Sequence, residues 1–258
     1  MAGTNSPATE GVDIPVSENV KLLNDSNTFE AATHPYSRYS GVNYIGETYP
    51  IIGVSDKSTK EGINMGYSFS EKLAAEYPDK QIGLVVNSSS GCSILTYERN
   101  AVEQGATLAN GFVNSVERMK AALVDGAEFK GIVWHQGESD QQDTAYPARL
   151  RNLIYDLRTA IGDPEVPFIA GGLSETNRST APFNGRMKNE TYRIANMCYV
   201  SSTEPEPIIS RAEITDSNGN YFYPNSSTDF THFSATGQIV FGHRYYDVYS
   251  ALTERIKR

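Results

Sequence analysis

The sequence from Gly131 to Asp140 reads Gly-Ile-Val-Trp-His-Gln-Gly-Glu-Ser-Asp, an apolar run that becomes polar at its centre. The apolar half predicts a short buried strand, and the amide and acidic side chains that follow predict a loop at its carboxyl end. Open α/β sheets bind their ligands beyond the carboxyl ends of their strands. The stretch therefore indicates an α/β protein with a functional site that includes Gln136 and Glu138.

Helical patterns and short apolar runs alternate along the rest of the chain. The helices are predicted over residues 62–77, 109–124, 146–161 and 185–195, with a last helix capped by Ser234. The strands are predicted over residues 81–86, 131–135, 166–170 and 197–201. Residues 4–60 indicate a long surface loop with short strands. This alternation predicts one α/β domain over residues 1–258, built as a three-layer, doubly wound parallel sheet.

The composition excludes several classes of protein. A chain of 258 residues with 39% hydrophobic and 21% charged residues is ordinary for a globular protein. Its net charge of −9 argues against nucleic acid or an anionic membrane surface as a partner. No apolar stretch approaches the roughly 20 residues of a membrane span. Cys92 and Cys198 lack metal-ligand spacing, so we expect free thiols.

A second polar pattern lies near the C-terminus, where Asp229 precedes His232 by three residues in a loop ahead of the last helix. That spacing allows a carboxylate to orient an imidazole, which is the arrangement that a general base requires. From spacing alone, a surface histidine and an aspartate that only closes a turn remain alternatives. Glu138 competes with Asp229 for the supporting role, and the sequence leaves open which carboxylate contacts the histidine.

Four blocks of the sequence resemble the SGNH-type carbohydrate esterases, in the branch that holds acetylxylan esterases and sialate O-acetylesterases. The Trp-x-Gln-Gly-Glu-Ser-Asp block matches Trp134–Asp140, and the final Asp-x-x-His block matches Asp229–His232. Ser88–Gly91 resembles the Ser-x-Gly-Gly block with a serine at one glycine position. Met1–Gly3 matches only the tail of the first block, Gly-Gln-Ser-Asn-Met-Ala-Gly. The resemblance extends from the first residue to about Ala251.

The resemblance implies a flavodoxin-like fold and a serine esterase that removes O-acetyl groups from xylan-type carbohydrate or sialic acid. In the family the nucleophile belongs to the first block, so we expect that serine, and the central strand before it, to lie upstream of Met1. A periplasmic or secreted location would follow if a signal peptide has been lost with it. We expect an acetylated carbohydrate as the partner and no cofactor. The alternative function is a catalytically silent glycan-binding remnant.

The resemblance assigns the catalytic roles to a base and two supporting carboxylates, namely His232, Asp229 and Glu138. Gly91 and Gln136 are candidates for the oxyanion hole, because a glycine admits close backbone approach and an amide supplies N–H donors. A tight turn at Gly91 and a structural hydrogen bond at Gln136 remain alternatives. Ser88, Ser89 and Ser90 lack the Gly-x-Ser-x-Gly spacing of a nucleophile elbow. Their match to the second block of the family implies a substrate-binding turn that includes Ser90.

Two further interpretations concern side chains around these blocks. A metal ion that activates water would need the candidate ligands His135, Glu138, Asp140 and Asp143. Residues on a strand and the turn after it diverge, so we expect no metal site. Aromatic side chains flank the histidine block at Tyr221–Tyr223, Phe230 and Phe233. They would suit a sugar ring, but sixteen tyrosines make chance clustering an equal alternative.

Overall fold

The computed structural model describes residues 15–34, 36, 63–88, 91–101, 111–123, 126–176, 180–213 and 228–257. The strands are β1 (Val20–Leu23), β2 (Phe29–Ala31), β3 (Ile82–Leu84), β4 (Ile132–Trp134), β5 (Phe168–Gly171) and β6 (Met197–Val200). The helices are α1 (Met65–Glu76), α2 (Gly111–Ala122), α3 (Tyr146–Ile161), α4 (Ala181–Glu190) and α5 (Ala235–Ile256). Short 3-10 helices span Ile94–Tyr97, Glu138–Asp140 and Arg211–Glu213.

The strands form two three-stranded sheets in the orders β2-β1-β3 and β4-β5-β6. All neighbouring strands are parallel except β1 and β2, which are antiparallel. Among the described residues, β3 pairs only with β1 and β4 only with β5. The expected doubly wound sheet is thus present as two halves, and the described part of the chain contributes no strand that joins β3 to β4.

Helices cover both faces of the sheet that contains β5. Phe168 and Ala170 on β5 pack with side chains of α2, α3 and α4 in one apolar cluster. The residue between them, Ile169, packs on the opposite face with side chains of α1 and α5. Because successive strand residues point to opposite faces, this alternation shows a sheet buried on both sides. The predicted three-layer α/β architecture is confirmed.

Local sequence signals correctly predict several helix ends. α3 has the predicted bounds, with Pro147 in its first turn and Gly162 in the left-handed conformation just after its end, at φ 76°. Ser234 caps α5 as predicted, because its side chain accepts a hydrogen bond from the N–H of Gly237. The predicted bounds of the helix at 185–195 are wrong. α4 begins at Ala181, since Pro182 fits its first turn, and it ends at Glu190.

The short strands expected within residues 4–60 include β1 and β2, but the surface position expected for this region is wrong for β1, which is a core strand. Val20 and Leu22 are fully buried and pack with Ala74 of α1. The guanidinium of Arg118 on α2 donates a hydrogen bond of 2.7 Å to the carbonyl of Leu23 at the end of the strand. A strand of four residues shows too little periodicity to reveal its burial. Other parts of 4–60 lie largely outside the described residues.

Candidate active site

The imidazole of His232 and the carboxylate of Asp229 form a close pair in the loop before α5. Nδ1 of His232 lies 2.8 Å from Oδ1 and 3.0 Å from Oδ2 of Asp229. The backbone N–H of His232 also donates to Oδ1, at 3.1 Å. A carboxylate can only accept, so Nδ1 carries the proton and Nε2 keeps a lone pair. The His232 side chain is 45% exposed, so the pair is open to solvent.

Arg211 holds the pair in place, and sequence reasoning missed it. Its backbone N–H donates to the carbonyl of His232 at 3.0 Å, and its Nη1 lies 3.5 Å from Oδ2 of Asp229. The side chain of Arg211 is almost fully buried and supplies positive charge beside the carboxylate. The loop is further closed by a bridge between Ser210 and Phe233. Arg211 lies 18 residues from Asp229 in the sequence, across a segment with no periodic pattern, so no local signal pointed to it.

The turn after β4 is fixed by the buried carboxylate of Asp140. This carboxylate accepts hydrogen bonds from the hydroxyl of Ser93, the backbone N–H of Ile94 at 2.8 Å and the Nε2 of Gln136. Nε2 of Gln136 also donates to the carbonyl of Cys92 at 2.9 Å. Both N–H groups of the Gln136 amide therefore face protein acceptors. This arrangement favours a structural role for Gln136, because an oxyanion hole requires a donor that is directed at the substrate.

Two glycines shape the same region. Gly137 has φ 144°, and a Cβ there would lie 2.2 Å from Cζ of the buried ring of Phe183. Only glycine fits this turn. Gly91 has φ 69° with open space where a Cβ would project, and its carbonyl accepts a hydrogen bond from Ser139 at 3.0 Å. Gly91 thus lies beside the turn after β4. Ser90 lies outside the described residues.

Glu138 contacts His135 in the described structure, whereas Asp229 is the carboxylate that contacts His232. Nε2 of His135 lies 3.3 Å from Oε1 of Glu138. Burial lowers the pKa of His135, so its imidazole is neutral near pH 7 and can donate to the carboxylate. Burial is the largest single effect and raises the pKa of Glu138, but the interaction with His135, other nearby positive charge and a backbone hydrogen bond together lower it to about 2. Glu138 is therefore ionised at neutral pH.

Aromatic packing brings the two sequence blocks to one edge of the fold. The ring of His135 lies 5.8 Å from that of Phe233 and 5.4 Å from that of Phe241, measured between centroids. The hydroxyl of Tyr245 donates to the carbonyl of Trp134 at 2.7 Å. Phe233 directly follows His232, so the turn after β4 packs against the base of the histidine loop. Phe233 is fully buried and is not available to stack on a sugar.

The remaining candidates are the aromatic side chains near the histidine and the acids of the proposed metal site. Phe230 is partly exposed near the histidine, and Tyr221–Tyr223 lie outside the described residues. Asp143 accepts from the N–H of Ala145 and from Arg149, and it does not join the other acids of the proposed metal set. In the part of the chain that the structure describes, no three His, Cys, Asp or Glu side chains gather where they could hold a metal ion. None of the described helices is both long and apolar enough to cross a bilayer.

The chain has a three-layer α/β fold that holds Asp229 and His232 as a close pair, and comparison with known proteins gives the family. The family of sialic acid-specific acetylesterases, which are carbohydrate esterases, matches residues 1–251, and the chain belongs to it. A probable carbohydrate esterase from Arabidopsis thaliana is 31% identical over 112 residues, which are 42% of this chain and 40% of the relative. That match therefore spans less than half of the curated relative.

Two solved structures share the fold. An X-ray structure of an Arabidopsis thaliana protein superposes with a TM-score of 0.64 at 18% identity, over 96% of this chain and 91% of that protein. A carbohydrate acetylesterase from Xanthomonas citri superposes with a TM-score of 0.56 at 18% identity, over 92% of this chain and 50% of that protein. At this identity the likeness shows the α/β fold alone.

Proposed function

We propose that the protein is a carboxylic-ester hydrolase that removes O-acetyl groups from carbohydrate, of the xylan type or sialic acid, by a serine esterase mechanism. The observation that carries the proposal is the imidazole of His232, held through Nδ1 by both oxygens of Asp229 at a solvent-open edge of the fold. Family membership over residues 1–251 supports the substrate class.

The Asp229–His232 pair suits acyl transfer. With Nδ1–H donated to Asp229, the Nε2 lone pair takes the proton of a serine hydroxyl as its oxygen attacks the acetyl carbonyl. Asp229 stabilises the imidazolium that forms, and Arg211 balances the charge of Asp229. The imidazolium then gives its proton to the departing sugar oxygen. Water, deprotonated by the same nitrogen, releases acetate and restores the serine.

The remaining candidates take supporting roles in this proposal. Gly91 and Ser90 form the substrate-binding turn, where the missing Cβ of Gly91 allows a backbone N–H to approach the oxyanion. Gln136 has a positioning role, because its amide donates hydrogen bonds to Cys92 and to Asp140. These bonds hold the segment at Gly91 and Cys92 against the loop after β4. Glu138 supplies a second carboxylate near the site and is not the partner of His232 in the described structure.

Acetate release tests the proposal directly. The full-length protein, with the first block that is expected to carry the nucleophile serine, would be incubated with acetylated xylan, with O-acetylated sialic acid and with an aryl acetate, and acetate would be measured by NMR. His232→Ala should lower turnover by roughly two to four decades, the usual effect of removing a general base. His243→Ala is the matched control, because that histidine is partly buried on α5 and has no contact with Asp229.

Two results would contradict the proposal. Equal turnover in His232→Ala and the unaltered chain would remove His232 from the mechanism. Binding of the glycans with no acetate release by the unaltered full-length protein would favour the silent glycan-binding protein.

A further inference from the structure

A cleft of about 470 Å³ lies on the surface beside α3, and neither Asp229 nor His232 lines it. Its walls are formed by α3 and by the residues that follow the 3-10 helix Ile94–Tyr97, and they include Tyr155 and Asn152. The volume is within the range of small-molecule sites, roughly 300–1,000 Å³. We propose that this cleft is a second carbohydrate subsite, which binds neutral pyranose units of the polysaccharide at a distance from the ester that is hydrolysed.

Tyr155 supplies the stacking surface of the cleft. Its side chain is 71% exposed, although most aromatic residues of the chain that the structure describes are buried or half-buried. Phenol rings pack against the C–H faces of pyranoses and keep a hydroxyl in water. Asn152 lies one turn earlier on the same face of α3 and lines the same cleft, so its amide is placed to bond the hydroxyls of a stacked sugar.

The charges of the cleft favour a neutral ligand. Arg149 contacts both oxygens of the Glu98 carboxylate, at 3.0 and 3.2 Å, and also lies 3.1 Å from Asp143. Arg99 lies 3.2 Å from Asp156 at the rim. Each arginine thus has a carboxylate partner, and an anionic sugar would meet at least as much negative as positive charge. Neutral hydroxyls can accept from the guanidinium and donate to the carboxylate of one pair.

A short segment connects the cleft to the proposed active site. The N–H of Ile94 donates to Asp140 in the turn after β4, and Glu98 follows the same 3-10 helix and lines the cleft. This mostly buried helix joins the wall of the cleft to the turn after β4 through the chain itself. The choice of a sugar as ligand rests on the proposed function, but binding in the cleft does not depend on hydrolysis.

Binding of a soluble, fully deacetylated xylan tests the subsite. Affinity electrophoresis of the 258-residue chain should show Tyr155→Ala binding roughly three- to tenfold more weakly, the effect expected for one lost aromatic contact. Tyr192→Ala is the matched control, because Tyr192 is 82% exposed and does not line the cleft. Circular dichroism checks that both variants fold, and Asn152→Ala should weaken binding in the same assay.

The outcomes separate this subsite from the catalytic proposal. Hydrolysis of an aryl acetate should be equal in Tyr155→Ala and Tyr192→Ala, since a small ester does not reach the cleft. Equal xylan affinity in these two variants, no xylan binding at all, or tighter binding of polygalacturonate than of xylan would overturn the subsite. Xylan binding that is lost in Tyr155→Ala would support the subsite, and it would refute only the esterase if the full-length protein released no acetate.

Discussion

Gly137 is the position where one added methyl group should do most damage to the candidate site. It lies between Gln136 and Glu138 in the turn after β4, with φ 144° and ψ −8°. The Cβ of Gly137→Ala would lie 2.2 Å from Cζ and 2.5 Å from Cε1 of Phe183. Phe183 is fully buried in the core, so its ring cannot swing into solvent to relieve the contact.

The magnitude has two parts. A residue with a Cβ in this sparsely populated backbone region costs about 1–3 kcal/mol. Forcing extra volume against a packed ring costs about 1–3 kcal/mol more. The sum of about 2–6 kcal/mol is a large share of the about 5–15 kcal/mol that stabilises a typical domain. Gly162→Ala is the matched control, because φ there is 76° with open space at the Cβ position, and only the backbone cost of about 1–2 kcal/mol remains.

Equilibrium unfolding in urea measures both variants. The single tryptophan, Trp134, packs against Tyr97 three residues before Gly137, so its fluorescence reports on this part of the core. The free energy of unfolding should fall by at least about 1 kcal/mol more in Gly137→Ala than in the control. In a Phe183→Leu background the penalty of Gly137→Ala should shrink, since the smaller side chain relieves the contact. Equal penalties in the two glycine variants, or no coupling with Phe183→Leu, would refute the reasoning.

Three further predictions use the same chain. Burial lowers the pKa of His135, so the folded protein takes up a proton less readily than the unfolded chain. The free energy of unfolding should therefore fall as the pH drops below about 6.5. In urea unfolding experiments, His135→Phe should make the free energy of unfolding depend less on pH. A fluorophosphonate that traps serine nucleophiles should give no adduct at Ser88, Ser89 or Ser90 by peptide mapping; an adduct there would place the nucleophile in the turn after β3. Acetyl esters should be hydrolysed faster than butyryl or octanoyl esters, and a preference for octanoyl would overturn the carbohydrate assignment.

Local signals explain which parts of the fold are predictable from the sequence. α3 has a proline in its first turn, a regular apolar stripe and Gly162 just past its end, so its bounds follow from nearest neighbours alone. α4 contains Gly185 and several polar residues, which obscure the stripe and shift the predicted bounds. β1 depends on partners far along the chain, since Arg118 binds its end and Ala74 packs on its face. Because β1 has only four residues, its sequence shows no hydrophobic periodicity from which this burial could be predicted.

The same distinction applies to the site. Asp229 and His232 are three residues apart, and within one loop that spacing is enough to bring the carboxylate to Nδ1. The sequence could not choose between Asp229 and Glu138, because the choice depends on where His135 and Phe233 pack. Arg211 was not foreseen for the same reason, since it meets Asp229 only after the chain between them has folded back.

These contacts change what the Trp-x-Gln-Gly-Glu-Ser-Asp block means physically. Trp134 packs on Tyr97, Gln136 donates to Cys92 and Asp140, and Gly137 leaves room for Phe183. These residues build the turn and leave little of the block free to react. The block is therefore stronger evidence for the fold than for the reaction, and the evidence for acyl transfer lies in the Asp229–His232 pair.

Substitutions in the two blocks should therefore have different effects on stability and on turnover. Substitutions that break the turn should lower the free energy of unfolding and activity together. Asp229→Asn should keep the fold, because the amide is nearly isosteric, but it should lower turnover by favouring the wrong imidazole tautomer. Measuring unfolding and acetate release on Asp140→Asn and Asp229→Asn separates the two roles. If Asp229→Asn lost stability and kept turnover, the pair would be a loop closure and the assignment of His232 as the base would have to be abandoned.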